Sequence, residues 1–289
     1  MKINEKELLL FIKRALAEDL GDGDHTSLAT IPENKEGKAQ LLAKETGVIA
    51  GVALAVRIFR EVDAGLKIDL LQEDGQEVAP GDVVLTVSGD ARAILTAERL
   101  VLNCMQRMSG IATLTRSISR QLEGTHTQVL DTRKTTPGIR FLEKWAVAIG
   151  GGRNHRFGLY DMILIKDNHV DYAGGIRQAI EASRRYLEKE NRSLEVEIEV
   201  RNTAELEQVL ETGNVDRILL DNFSPEDLRE AVGRIGGRFI TEASGGINAE
   251  NIREYAKSGV DFISMGALTH SVKSLDLSLK AVSTEGSGI

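Results

Sequence analysis

Apolar residues at helical spacing open the chain. In MKINEKELLLFIKRALAEDL, leucine and isoleucine return every three to four positions among acids and lysines, which predicts an amphipathic helix. Gly21 and Gly23 break that helix, and Asp24, Thr26 and Ser27 supply caps and turns. Over residues 38–52 and 65–87 the pattern shifts to short β-prone runs punctuated by the turns EDG at 73–75 and PGD at 80–82. Between them residues 53–63 predict a helix with Ala55, Ile58, Phe59 and Val62 on one face. A long helical segment follows over about residues 91–122, carrying Arg99, Arg107 and the buried-type Cys104.

From residue 128 the rhythm becomes short apolar strands, QVLD, MILIK, LEVEIEV, RILLD, FITEASGG and FISMG, with helical runs at 175–190, 203–211, 224–233 and 248–258 between the later ones. Such alternation predicts parallel strands. Six of them with no dinucleotide-type glycine fingerprint after the first favour a barrel or partial barrel over an open nucleotide-binding sheet. The expected architecture is an N-terminal α/β sandwich-like domain over residues 1–109, including the start of the linking helix, and then an incomplete parallel α/β barrel over 110–274. A tail over 275–289 returns toward the N-terminal domain, and its last residues, STEGSGI, should fray.

Charge changes this picture at one place. The chain has a net charge of -8, yet residues 131–166 hold Arg133, Lys134, Arg140, Lys144, Arg153, Arg156 and Lys166 against only Asp131, Glu143 and Asp161. A basic island of arginine, lysine and glycine in an acidic chain suits a small polyanion such as a carboxylate or phosphate and argues against nucleic acid. Arg140 and Lys144 lie in an amphipathic run and read equally well as solvated helix-face cations. No apolar run approaches the ~18 residues that span a bilayer, and a single cysteine excludes an internal disulfide, so the cytoplasm is the expected compartment. His25 reads as a loop histidine, because no second ligand stands at a metal-binding spacing.

Candidate chemistry collects where strands end. Asp131 to Lys134 follow QVL, Lys166 closes MILIK, Glu199 nears the end of LEVEIEV, Asp221 closes RILLD, Ser244, Gly245 and Gly246 follow FITEA, and Gly266 follows FISM. In a parallel barrel those ends share one rim. Glu195, Glu197 and Glu199 alternate with apolar residues, which leaves two readings: glutamates inside the barrel, paired with cations or ligand, or one solvated acidic face. SGGIN and MGALTHS put glycines and backbone amides before helices, as a phosphate cradle requires. His155, His169 and His270 have no nucleophile partner and no zinc spacing, and His155 and His270 read as anion contacts.

The blocks DTRKTTPGIR, GGGRNHRFGL and LIKDNH, with AERLVLN upstream, resemble the signature blocks of the quinolinate phosphoribosyltransferases, and the likeness extends over nearly the whole chain. The resemblance implies transfer of phosphoribosyl from phosphoribosyl pyrophosphate to quinolinate with decarboxylation, giving nicotinate mononucleotide, pyrophosphate and carbon dioxide in de novo NAD synthesis, with Mg2+. It also implies roles: Thr132, Arg133, Lys134, His155 and Arg156 against the pyridine carboxylates, with Arg99 from a partner subunit of a homodimer or higher oligomer. Lys166, Glu199 and Asp221 would serve the ribose pyrophosphate, the two acids would hold the metal directly or through water or substrate, and Lys134, Glu199 and Asp221 would be catalytic. Ser244, Gly245, Gly246, Met265, Gly266, Ala267 and His270 would receive the 5'-phosphate. Two other readings stand beside it: a related phosphoribosyltransferase with another acceptor, and a non-catalytic anion-binding barrel.

Overall fold

The computed structural model describes residues 4–282, so the STEGSGI terminus lies outside the described residues. In chain order the first elements are α1 (Glu5–Leu20), α2 (His25–Thr30), β1 (Glu36–Ala43), β2 (Gly47–Val48), α3 (Val52–Val62), β3 (Lys67–Leu70), β4 (Glu77–Val78), β5 (Val83–Asp90) and α4 (Ala91–Gln121). Then come β6 (Gln128–Leu130), α5 (Arg140–Gly150), β7 (Ile163–Ile165), α6 (Asp167–Ala173), α7 (Ile176–Lys189), β8 (Val196–Val200), α8 (Thr203–Thr212) and β9 (Arg217–Asp221). The last are α9 (Pro225–Ile235), β10 (Ile240–Ser244), α10 (Ile252–Ala256), β11 (Phe262–Ser264), α11 (Ala267–His270) and β12 (Leu277–Ala281).

The chain divides into two compact units, Met1–Leu114 with Phe141–Gly150 and Val272–Ile289, and Thr115–Arg140 with Gly151–Ser271. In the first unit, strands β12-β1-β5-β3 form an antiparallel sheet and β2 pairs with β4. Helix α1 begins at Asn4, whose side chain accepts from Lys6 N, and buries Leu8, Ile12 and Leu16 at a four-residue interval, which places them on one face. Helix α3 starts where Asp74 accepts from Val52 N at 2.9 Å and Ala53 N at 3.4 Å, and it buries Leu54, Ala55, Ile58 and Phe59.

Each compact unit is assembled from more than one stretch of the chain. Helix α5 groups with the first unit: Phe141 meets Phe11 edge to face at 5.5 Å, and fully buried Glu143 accepts from Arg107 Nη2 at 2.7 Å. The segment after residue 271 groups there too, because β12 runs antiparallel to β1 from Ala39↔Ala281 to Ala43↔Leu277. Two cations of the basic island leave the solvated reading here. Lys144 is fully buried, and half-buried Arg140 donates to Thr135 Oγ1 and Phe157 O, both at 2.9 Å.

The second unit is a six-stranded sheet in the order β6-β11-β10-β9-β8-β7, with every pairing parallel. Six strands fall short of the eight that close a full barrel, so the barrel is incomplete. Beyond β6, Arg153 makes an isolated parallel bridge to Leu130. Val129, Val196, Ile198, Val200, Ile218, Leu220 and Ile263 are buried, each contributing roughly 1.5–3 kcal/mol of apolar burial, and Ala243 is buried among them. Helices start where sequence and physics agree. Asn202 caps α8 by accepting from Glu205 N, and Ser224 caps α9 with Pro225 at its first turn and Gly236, φ 59°, at its end. The parallel order points the C-terminal ends of all six strands the same way, and those ends carry the site.

Candidate active site

A cavity of about 340 Å³ in the second unit is lined by Thr132, Arg133 and Lys134 after β6, His155 and Arg156 from the loop after α5, Leu164 of β7 and Lys166 just after it, Leu219 of β9, Glu242 and Ser244 of β10, and Ser264 of β11. Residues up to 132 positions apart in sequence share this cavity because each lies on a strand of the parallel sheet or in a loop beside one.

Local bonding sets the first loops. Asp131, fully buried at the end of β6, accepts from His155 N at 2.9 Å and from Asn154 Nδ2 at 2.6 Å, so the GGGRNHR loop is tied to the strand end. Lys134 N donates to Thr132 Oγ1 at 3.0 Å, and the Thr269 hydroxyl donates to Lys134 O at 2.7 Å, which joins α11 to the same turn. Gly266 leaves room there: a Cβ on it would lie 2.9 Å from Lys134 Cδ and 3.0 Å from the His270 ring. Arg133 and Lys134 are exposed and make no ion pair among the described residues.

Arg156 is only 9% exposed, and its Nη1 donates to Met162 O at 3.2 Å. Burial first, and the neighbouring charge of Arg133 second, pull its guanidinium below its ordinary value. Two guanidiniums held close enough to disfavour each other in a recessed cavity are stabilised by an anion with more than one negative group.

Of the three glutamates on β8 and its approach, only Glu195 faces water, paired with Arg217 at 2.8 Å. Glu197 is fully buried and Glu199 nearly so, which settles the interior reading for both. Glu199 Oε2 accepts from Lys166 Nζ at 2.7 Å. Asp221 sits beside that pair. Burial first and the Glu199 charge second raise its carboxyl, while Lys166 and the Asn222 side chain pull it down.

Beneath the cations lies a cluster that sequence reasoning reached only in part. His155 Nε2 stands 3.0 Å from Glu197 Oε2 and 3.4 Å from Glu242 Oε2, and both carboxylates are buried. Burial alone would lower the His155 ring, but the contacts to Glu197 and Glu242 outweigh it and raise it to about 10. Burial, then the charge of Glu242, push Glu197 up to about 7 against the pull of His155 and Arg217. The Arg156 amide lies 2.7 Å from His155 Nδ1, and Nε2 faces the two carboxylates. Both ring nitrogens of His155 are thus engaged inside the protein, whereas the sequence reading made it an anion contact. Glu242 was missed, although an acid between Thr241 and Ala243 in an apolar strand is the same signal that marked LEVEIEV.

The remaining expected residues fall around this rim or away from it. Ser244 O accepts from Asn222 N at 2.8 Å, Gly245 and Gly246 take φ of 94° and 65°, and Met265 is buried with its amide donating to Leu130 O at 2.9 Å. Ala267 opens α11, and His270 Nδ1 contacts Ser271 Oγ at 2.6 Å. His169 Nδ1 accepts from Lys166 N at 2.9 Å, a helix-capping role. Arg99 is an exposed residue of α4 in the first unit.

Fold and rim define an incomplete α/β barrel that gathers arginine and lysine opposite carboxylates at the mouth of its strands. The family model "Quinolinate phosphoribosyl transferase, C-terminal domain" matches residues 111–280, and "Quinolinate phosphoribosyl transferase, N-terminal domain" matches residues 24–109. The chain is 49% identical to the chloroplastic carboxylating nicotinate-nucleotide pyrophosphorylase of Arabidopsis thaliana over 95% of this chain and 82% of that one. It is 40% identical to the probable carboxylating nicotinate-nucleotide pyrophosphorylase of Bacillus subtilis, covering 96% and 94%. The crystal structure of NadC from Streptococcus pyogenes superposes with a TM-score of 0.92 at 38% identity, over 98% of this chain and all of that one. The chain belongs to the quinolinate phosphoribosyltransferase family.

Proposed function

We infer that this chain is a carboxylating nicotinate-nucleotide pyrophosphorylase, which transfers phosphoribosyl from phosphoribosyl pyrophosphate to quinolinate and releases pyrophosphate and carbon dioxide to give nicotinate mononucleotide for de novo NAD synthesis. The observation that carries the reading is the cavity lined by Arg133, Lys134 and Arg156 together with Lys166, whose Nζ donates to Glu199. The first three suit two pyridine carboxylates, with Arg156 able to grip one bidentately. The Lys166–Glu199 pair suits the sugar.

Glu199, with Asp221 beside it, faces the charge that grows at the anomeric carbon as pyrophosphate leaves and the ring nitrogen attacks. Lys134 and Lys166 offer positive charge to the departing and entering anions. Ser244, Gly245 and Gly246, with Met265, Gly266, Ala267 and His270, offer small side chains and amides to the 5'-phosphate. Arg133 and Arg156 then hold the pyridinium while the adjacent carboxylate departs, its electrons drawn into the alkylated ring. Ribosyl transfer precedes decarboxylation in this scheme.

The acids also fit Mg2+. Glu199 and Asp221 offer oxygen donors alone, the ligand set of a hard cation, and would hold it, which would offset the burial and the Glu199 charge that raise Asp221. When bound, Mg2+ would supply charge neutralisation for the pyrophosphate leaving group. We further place Arg99 in the site of a neighbouring protomer, and the reaction in the cytoplasm. Among the described residues no helix is long and apolar enough to cross a membrane.

Carboxyl-labelled quinolinate with phosphoribosyl pyrophosphate and Mg2+ should release carbon dioxide in step with nicotinate mononucleotide, and nicotinate should not replace it. Arg133→Ala and Arg156→Ala should each lower kcat/KM by about 100- to 1000-fold, since a desolvated carboxylate loses its partner. Quinolinate binding without product, or near-normal turnover in either variant, contradicts the assignment.

A further inference from the structure

Asn222 stands between two parts of the sugar-phosphate site without having been assigned a part in it. Its Nδ2 donates to Asp221 Oδ2 at 2.6 Å, and its backbone N donates to Ser244 O at 2.8 Å. Its carboxamide also occupies the space above Gly245. A Cβ on that glycine would overlap Asn222 Oδ1 and lie 2.6 Å from Cγ and 2.9 Å from the Asn222 amide nitrogen. Asn222 takes the left-handed φ of 58°, which a short polar side chain that bonds locally tolerates. Asn34, Asn191 and Asn214 also take positive φ. A left-handed asparagine is therefore ordinary in this chain, and what distinguishes Asn222 is where its amide goes.

We propose that Asn222 is a positioning residue, whose carboxamide fixes the Asp221 carboxylate at the rim and braces the glycine turn that follows β10, so that acid and phosphate turn are set as one piece. The inference rests on the reading of Asp221 and of Ser244, Gly245 and Gly246 as the sugar-pyrophosphate site. It gives Gly245 a specific reason to be glycine beyond its φ of 94°: the carboxamide fills the volume a side chain would need.

Asn222→Gly separates the two roles of the residue, because glycine keeps the left-handed backbone and removes only the amide. Calorimetry of phosphoribosyl pyrophosphate binding with Mg2+, calorimetry of quinolinate alone, and steady-state kinetics would be compared in wild type, Asn222→Gly, Asp221→Asn and the double variant, with thermal denaturation of each. The expected result is a loss of about 10- to 100-fold in phosphoribosyl pyrophosphate affinity or kcat for Asn222→Gly, the range of one hydrogen bond to a charged group. Quinolinate affinity and thermal midpoint should hold, and Asn222→Gly should add little in the Asp221→Asn background. Equal weakening of both ligands, or a full additional loss in that background, would assign Asn222 a general structural role and overturn the inference. So would wild-type affinity in Asn222→Gly, which sinks the inference alone, whereas a wild-type protein that does not bind phosphoribosyl pyrophosphate sinks the functional reading with it.

Discussion

At the scale of single residues, the interior charges decide most. A buried carboxylate is costly unless paired, yet Glu197 and Glu242 both sit inside the second unit with one imidazole between them. The folded cluster keeps protons that the unfolded chain has given up: on Glu197 between pH 4.5 and about 7, and on His155 between pH 6.5 and about 10. Because the native state then binds more protons, stability falls as pH rises across both windows. Urea denaturation between pH 6 and 9 should therefore show stability declining with pH, and Glu242→Gln should flatten the decline by removing one cause of both shifts. Parallel slopes for wild type and variant would rule out this origin. The sequence marked LEVEIEV as anomalous but could not say which glutamates face inward, since depth in the barrel depends on the register Glu197↔Arg217 and Glu242↔Leu219 between strands distant in sequence.

At the scale of elements, periodicity located the helices and strands but not always their partners. The apolar positions of α5 were readable in RFLEKWAVAIG, whereas its grouping with the first unit depends on Phe11 and Arg107, more than thirty positions away. Strand β12 is a short run whose pairing with β1 is likewise non-local. The segment leading to it passes so close to α4 that a Cβ on Gly110 would collide with Lys273 O and lie 3.1 Å from Ser274 Cα. Gly110→Ala should thus destabilise the protein by about 1–3 kcal/mol, the usual cost of overpacking. Gly233→Ala, where a Cβ on α9 meets nothing within 4 Å, should be neutral or stabilising by up to about 1 kcal/mol, because alanine favours helix over glycine. Thermal denaturation of the pair checks both, and equal effects would remove the contact argument.

At the scale of the whole molecule, the site depends on what the fold brings together. If Arg99 completes the cavity of a neighbouring protomer, mixing Arg99→Ala with Arg133→Ala protein should restore part of the lost activity, because one hybrid site then carries both arginines. No recovery after demonstrated subunit exchange would count against a shared site. The sequence by itself determined the class of fold and the residues at the strand ends, because hydrophobic periodicity and turn chemistry are local and parallel strands always point their C-terminal ends one way. Only the tertiary structure decided that Lys144 is buried, that Glu242 joins Glu197 beneath His155, and that Asn222 links Asp221 to Gly245. Those outcomes follow from strand register and from contacts between segments far apart along the chain, where energy is set by who the neighbour is and no local pattern names it.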